Sequence, residues 1–483
     1  MRYLYIISLI FAGVIGHSQQ ADSVRNPVPG NVDGEPDGKR FYVSEITLIG
    51  NKVTKDRIVY RELLFAIGDT LLGAELPGTL EKSRENLLNT SLFNFVTIDT
   101  LQETGRPFDL KIQITLLERW YIWPFPIFEL SDRNFNSWLA SGDISRVSYG
   151  AFITWDNFRG RKETLKLRLR FGYNQLYDFF YQIPYINRRE TLGIGFGAGI
   201  AGNHEAPYET KDNNLEYYKN TGKYVKKEGF AFVQFLHRKD IYNSHKLEIA
   251  YNNYHFDDSL ISLNPGYSFE QRSDLEFFSV FYEYKSDHRD FKAYPLTGYY
   301  FDAGFEKIGL GILDNGGIDL LEIKSTFRKY WKLNSRFYFA WGLNAKFSND
   351  RIQPYFLLKG LGYGRDFVRS YEYYVIDGRN FGLMKSNIKF ALLPPKVFNL
   401  GFIPTDKFSK VHFAIYTNLF MDLGFADNPQ SVPSLDNTLE NNILIGYGVG
   451  LDFVTYYDVV IRTEFSVNRM GECGFFLHFM API

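Results

Sequence analysis

Leu165-Lys166-Leu167-Arg168-Leu169-Arg170-Phe171-Gly172 is the stretch that decides the fold, because apolar and polar side chains alternate through it without a break. Successive side chains of a β-strand point to opposite faces, so this segment has one apolar face and one charged face. The same alternation recurs around residues 246–252, 321–328 and 461–467. A membrane β-barrel needs this arrangement, since its outer face meets lipid and its lumen meets water. A soluble antiparallel sandwich also alternates and is the alternative interpretation.

The composition favours the membrane interpretation. Aromatic residues make up 18% of the 483 residues, with 45 Phe and 34 Tyr, which is more than a single soluble core usually needs. Aromatic girdles at two membrane interfaces would use them. The formal net charge of -1 gives no reason to expect nucleic acid as a partner.

The N-terminus predicts export. Residues 1–18 combine Arg2, an apolar stretch and small residues at a plausible cleavage site, which is typical of a signal peptide. Residues 19–40 are rich in Pro and Gly and predict a flexible leader. Cys473 is the only cysteine, so the sequence predicts neither an intramolecular disulfide nor a lipid anchor at the cleavage site. Export followed by a barrel indicates the outer membrane of a double-membraned bacterial envelope.

Residues 41–118 have a different pattern, which predicts a small α+β domain. We expect a strand over residues 42–49, a helix N-capped by Thr54, a second helix over 77–89, and strands over 95–100 and 110–118. This β-α-α-β-β order favours one mixed sheet with two helices on one face.

Residues 119–483 predict an all-β transmembrane barrel of about sixteen antiparallel strands, an even number as bacterial barrels require. We expect the strands near residues 120–130, 145–156, 161–172, 176–184, 191–201, 228–236, 244–254, 274–286, 297–306, 318–329, 333–346, 383–393, 411–422, 444–455, 458–467 and 473–480. The longest connections, about 202–227, 255–273 and 347–382, are expected to be extracellular, and short links such as residues 455–458 are expected to be periplasmic turns.

Three short motifs of the N-terminal domain carry a family resemblance. Ile46-x-Leu48-x-Gly50-Asn51-x-x-Thr54, then Arg61-Glu62-Leu63, then Leu92-Phe93-x-x-Val96, resemble a POTRA domain. POTRA domains precede the barrels of the BamA/TamA/FhaC superfamily of outer-membrane insertases and transporters, and the rest of this chain resembles such a barrel. The resemblance implies a periplasmic POTRA domain over residues 41–118 and a sixteen-stranded outer-membrane barrel over residues 119–483.

The long segment 347–382 contains Val368-Arg369-Ser370-Tyr371, which resembles the VRGY/F motif of the superfamily's sixth extracellular loop. The resemblance implies that this loop folds back into the lumen, where Arg369 holds an acidic side chain of the barrel wall. The first candidate partner is Asp422, in a stretch that resembles the family's Asp-x-Gly motif, and the second is Glu464. The family usually has glycine where this sequence has Ser370. If the loop needs a backbone conformation that favours glycine, its conformation here could differ from that of the family. An ordinary surface loop with a solvated arginine is the alternative.

The first and last strands predict a weak closing seam. Pro124 and Pro126 cannot donate ladder hydrogen bonds, although they fit equally well in a linker just before the first strand. The last strand is short, with Phe475, Leu477 and Phe479 on its apolar face. In BamA-type proteins such a seam is thought to open sideways toward lipid and to template client strands. The terminal residues 480–483 depart from the aromatic-terminated barrel signal, a role that Phe479 can fill.

We expect no enzyme, and no catalytic, cofactor-binding or metal-binding residues. Asp287 and His288 are adjacent, so in a strand they point to opposite faces, and no nucleophile accompanies them. Gly446-x-Gly448-x-Gly450 resembles a dinucleotide loop only as a string, because it lies in an alternating strand without a following helix. We interpret it as a barrel strand with small lumenal residues.

The resemblance implies an assembly or translocation factor of the BamA/TamA type. Its partners are then the lipid bilayer, unfolded outer-membrane or secreted client polypeptides, and possible assembly-complex subunits. One alternative is a two-partner-type secretion pore for one substrate, which is less favoured because such transporters usually carry two POTRA domains and this stretch has space for one. The other is an accessory subunit of an outer-membrane complex that lacks insertase activity.

Overall fold

The computed structural model describes residues 38–103, 106–130, 147–313, 317–349, 352–401, 403–455 and 457–479. The predicted signal peptide, most of the leader and residues 480–483 lie outside the described residues. No helix within the described ranges is long and apolar enough to cross a membrane.

The N-terminal domain is a four-stranded sheet covered by two helices. Its elements are β1 (Arg40–Ile49), α1 (Asp56–Tyr60), β2 (Thr70–Leu72), α2 (Leu76–Leu88), β3 (Phe93–Glu103) and β4 (Arg106–Glu118). The strand order is β2-β1-β4-β3, with β1 parallel to β4 and the other pairs antiparallel. Val43, Leu87 and Ile114 are fully buried between the sheet and the helices, because their spacing places them on the inner faces of β1, α2 and β4.

Two details of this domain differ from the sequence prediction. The three-residue strand β2 was not predicted, since it is too short to show an alternating pattern. Thr54 was expected to cap α1, but the N-cap residue is Lys55 and it makes no side-chain cap. The Thr54 hydroxyl instead lies 3.1 Å from the hydroxyl of Tyr121, so a tertiary contact has replaced the local one.

The rest of the described chain forms one sixteen-stranded antiparallel sheet in sequential order, which confirms the predicted fold class. Its strands are β5 (Ile122–Leu130), β6 (Val147–Phe158), β7 (Glu163–Gly172), β8 (Gln175–Ile183), β9 (Leu192–Asn203), β12 (Lys226–His237), β13 (Asn243–Phe256), β14 (Asp274–Asp287), β15 (Gly298–Ile308), β16 (Leu320–Lys332), β17 (Phe337–Ser348), β18 (Asn380–Asn399), β19 (Lys410–Asp427), β20 (Leu444–Val454), β21 (Val460–Asn468) and β22 (Cys473–His478). A separate hairpin, β10 (Glu205–Lys211) and β11 (Asn214–Lys219), and the short helices α3 (Asp258–Leu263) and α4 (Asp406–Ser409) lie in connections.

Neighbouring residues of a strand meet different surroundings, as the alternating pattern predicts. In β21, Phe465 is 50% exposed on the outer face, whereas Glu464 next to it is fully buried on the inner face. In β7, Leu167 lies on the outer face and Arg168 forms a lumenal ion pair with Asp178 of the neighbouring strand. The sheet therefore has an apolar outside and a polar inside, which suits lipid and water respectively.

The N-terminal domain lies across one end of the barrel, which we call the domain end. Seven short links connect the strands there, and described residues of six of them form hydrogen bonds with the domain or with Arg119, the residue that follows it. The contacts join Lys55 to Gly160, Arg61 to Glu190, Glu62 to Arg238, Asn89 to Asp290, Asn94 to Lys407 and Arg119 to Asp458. The three long connections predicted from the sequence lie at the opposite end, the far end.

Glu62 is the central charge of this contact. Its carboxylate accepts hydrogen bonds of 2.6 and 2.8 Å from the Arg238 guanidinium, and Lys162 Nζ lies 3.6 Å from the same carboxylate. Burial raises the pKa of Glu62, but the charges of Lys162 and Arg238 outweigh this effect and lower the pKa to about 2. The ionised carboxylate therefore stabilises the docked position of the domain.

We expect Glu62→Gln to weaken this docking by about 3–5 kcal/mol, because it leaves the cations facing a neutral, partly bonded amide. Hydrogen exchange in α1 measures the effect, and Glu45→Gln, on an exposed carboxylate, is the control. Since the pKa of Glu62 is lowered from 4.5 to about 2, its contribution is complete above pH 4.5 and is lost as the pH falls toward 2. Equal exchange in both variants would contradict the assigned role.

Candidate functional site

The connection between β17 and β18 folds into the barrel instead of extending from it. Its tip consists of Val368, Arg369, Ser370 and Tyr371, and all four are buried. Val368 and Tyr371 pack in an apolar cluster with Leu383 of β18 and Leu444 of β20. The tip is therefore attached to the inner wall of the barrel.

Arg369 is fully buried and contacts both acidic residues that the sequence singled out. Its Nε donates to Asp422 Oδ2 at 2.8 Å, and its Nη2 donates to Oδ1 at 2.5 Å. Its Nη1 donates to Asn387 Oδ1 at 2.9 Å and lies 3.4 Å from Glu464 Oε1. The guanidinium also lies over the ring of Phe420, 3.8 Å from its centroid. The bidentate pair neutralises the buried charge of Arg369, and the pair and the stacking together fix the position of the loop.

Ser370 has a left-handed backbone, with φ of +77°. This conformation favours glycine, the residue that the family motif has at this place. The Ser370 carbonyl accepts a hydrogen bond of 3.3 Å from Asn468 Nδ2 of β21. Ser370 therefore adopts a backbone conformation typical of glycine. The contacts of Arg369 before it and the hydrogen bond from Asn468 hold it in this conformation.

Two glycines of the wall make room for the loop tip, and the sequence did not identify this role. A Cβ at Gly446 would lie 1.8 Å from the carbonyl oxygen of Arg369, and one at Gly424 would lie 2.3 Å from Val368 Cγ2. The alternating glycines around Gly446 were recognised only as small lumenal residues. The alternating glycines were visible in the sequence, but the reason for Gly446 is the close approach of the loop tip, which is distant in sequence.

A second buried network lies beside the first and was also missed. Arg462 donates to both carboxylate oxygens of Asp452, which also accepts hydrogen bonds from Tyr294 Oη at 2.6 Å and Asn418 Nδ2 at 3.1 Å. Glu464 Oε1 lies 3.6 Å from Arg462 Nη1 and 3.4 Å from Arg369 Nη1. Glu464 therefore joins the loop to this network.

The two ends of the sheet form the seam. Within the described residues, β5 pairs only with β6 and β22 only with β21. The structure places Pro124 and Pro126 inside β5, in register with Ile153 and Ala151, and not in a linker. Asp156 N donates to Tyr121 O across the start of this ladder, so hydrogen-bonded pairs fall on the odd residues of β5. Both proline nitrogens consequently face the seam.

The last strand presents ordinary donors to the same seam. Asn468 N donates to Glu472 O, which by the same alternation turns the N–H groups of Cys473, Phe475 and Leu477 away from β21. The side chains of Phe475 and Leu477 are exposed on the outer face, and Phe479 lies just beyond the end of the strand. The β5 edge of the seam therefore lacks two backbone N–H donors, whereas the N–H groups of β22 that face the seam are all present.

We expect Arg369→Glu to detach the loop, because it removes the buried cation that pairs with Asp422 and Glu464 and places a third carboxylate beside them. The loss should be at least about 3–5 kcal/mol. The readouts are assembly yield and the gel shift between heated and unheated protein. Arg379→Glu is the matched control, since this arginine belongs to the same loop but pairs with the partly exposed Asp427 at the end of β19. An Arg369→Glu protein indistinguishable from wild type would contradict the conclusion that Arg369 holds the loop against the barrel wall.

We expect Gly446→Ala to displace the loop tip at a cost of about 1–3 kcal/mol, because the added methyl overlaps the Arg369 carbonyl. Hydrogen exchange of residues 352–379 should increase. Gly382→Ala provides the control, since a Cβ there meets nothing within 4 Å. If both variants exchange alike, the close approach has no energetic role.

The chain is similar to known proteins in its N-terminal domain and in its fold. Residues 41–116 match the POTRA family, described as surface antigen variable number repeat. CdiB from Escherichia coli is 13% identical, with 92% of this chain and 75% of that chain covered and a TM-score of 0.51. BamA from Haemophilus ducreyi lacking POTRA domains 1–3 is 16% identical, with 89% and 81% covered and a TM-score of 0.47.

The fold and the comparisons define an outer-membrane-type β-barrel whose described N-terminal part is one POTRA domain. The chain as a whole shares the fold of CdiB from Escherichia coli, and its N-terminal domain is the POTRA domain that the sequence motifs predicted.

Proposed function

We propose that this protein is an outer-membrane assembly or translocation factor of the BamA/TamA type, which acts on client polypeptides by strand addition and without covalent chemistry. In this proposal the POTRA domain lies in the periplasm and the far-end loops lie outside the cell. The clients are unfolded outer-membrane or secreted polypeptides.

The seam is the observation that carries the proposal. An unpaired strand edge is a template for another strand, and Phe475 and Leu477 flank it with apolar side chains. Pro124 and Pro126 weaken its closure, because β5 lacks two of the donors that a full ladder with β22 would use. A client strand can pair with the donors and acceptors of β22 more completely than β5 can.

The POTRA domain offers a second edge. The order β2-β1-β4-β3 leaves the eleven-residue strand β3 at the border of its sheet. Strand addition there gives affinity through the backbone, which suits clients of unrelated sequence.

The two ends of the lumen favour the seam over a central route. The loop tip is packed against the wall through Arg369, and the POTRA domain together with Arg119 contacts six of the seven links at the domain end. A secretion pore for one soluble substrate would require both to move. The other alternative is an accessory subunit that does not insert clients. Its partners would be the other subunits of an outer-membrane assembly complex.

Depletion of the protein in its native host, followed by quantification of folded outer-membrane barrels and of the secreted proteome, tests the function. We expect a broad loss of folded barrels. Loss of one exported protein alone would indicate the pore, and no change in either would indicate the accessory subunit.

Complementation of the depleted strain tests the seam. We expect Pro124→Val with Pro126→Val to restore two seam donors, strengthen closure and lower client insertion several-fold. Ile127→Val is the control, since the N–H of Ile127 already faces β6. Insertion at the wild-type level by the double variant would remove the gating role from the prolines.

A further inference from the structure

We propose that Glu372, Glu464 and His478 form a binding site for a divalent transition-metal ion of the Zn²⁺ type. Glu372 follows the loop tip, Glu464 belongs to β21, and His478 ends β22 at the seam. One ligand atom from each lies within 4.8 Å of the other two. The sequence predicted no metal site, because the topology alone brings these residues together.

The distances fit a metal coordination sphere. His478 Nε2 lies 3.3 Å from Glu372 Oε1 and 3.2 Å from Glu464 Oε2. Ligands around a tetrahedral Zn²⁺ with bonds of about 2.0–2.1 Å are separated by about 3.3–3.4 Å. Two edges of the ligand triangle therefore already have the required length.

The polar atoms of the cluster have unused capacity. Glu464 is fully buried, and its Oε2 accepts no hydrogen bond from any described residue. The same is true of both Glu372 oxygens, and His478 Nε2 forms no hydrogen bond of good geometry with either carboxylate. Buried acceptors without donors are unfavourable, and a single ring N–H can serve only one of them. One cation would satisfy all three side chains.

The surroundings orient the ligands. The other oxygen of Glu464 faces Arg369 and Arg462, which leaves Oε2 for the ion. The ring of Phe367 stacks on the ring of His478 with centroids 5.5 Å apart, which fixes the imidazole plane. Supporting contacts of this kind are typical of metal sites.

The donor set selects the kind of ion. One imidazole nitrogen and two carboxylate oxygens suit Zn²⁺ or Co²⁺, whereas Mg²⁺ and Ca²⁺ prefer oxygen ligands alone. An ion held there would connect the lumenal loop to β22 and so restrain the strand at the seam. The site itself does not depend on the proposed function.

The test is metal binding by the full chain in detergent after treatment with a chelator. We expect wild type to bind one equivalent of Zn²⁺ in calorimetry, and Co²⁺ to give the visible absorption of a low-symmetry site. His478→Gln and Glu372→Gln should each lower the affinity at least tenfold. Glu464 is left unchanged because it also contacts Arg369.

His255→Gln is the matched control, since His255 pairs with the exposed Asp274 at the far end and should not affect the equivalent. The gel shift on heating verifies that each variant is folded. Absence of saturable binding in wild type, or affinities of both variants equal to wild type, would overturn the site. Loss of the equivalent in His255→Gln would assign binding to the surface instead.

Discussion

A polypeptide in lipid must satisfy its own backbone hydrogen bonds, and the seam is where this barrel departs from that constraint. Fifteen strand-to-strand ladders satisfy the sheet, whereas no ladder joins its two ends within the described residues. Pro124 and Pro126 reduce what β5 can offer to β22. The unpaired backbone N–H and C=O groups at the edges of β5 and β22 therefore lie together along the seam, where another strand could pair with them.

The lumen solves a different problem, which is the burial of charge. Arg369 and Arg462 are fully buried, and each is paired with an aspartate while sharing Glu464. Removal of one partner from such a network leaves an uncompensated charge, so the loop has few alternative positions. The wall glycines Gly424 and Gly446 allow the approach that makes the pairing possible.

The sequence predicted the barrel closely because its two solvents impose a period of two on every strand; all sixteen expected strands have an observed counterpart. It missed β2, whose three residues carry no period, and it misassigned Thr54, whose hydroxyl is used by Tyr121. The roles of Gly446 and the cluster around His478 depend on contacts between distant segments. Local pattern carries no information about such contacts.

The POTRA domain and the seam are mechanically connected at the domain end. Arg119, three residues before β5, donates hydrogen bonds of 2.6 and 2.9 Å to Asp458, two residues before β21. Trp120 N donates to Tyr457 Oη at 3.1 Å in the same link. The start of β5 is thus attached to the start of β21, the strand that pairs with β22. Arg119 Nε also donates to Phe93 O at 3.0 Å, so among the described residues Arg119 links the POTRA domain both to β5 and to β21, the neighbour of β22.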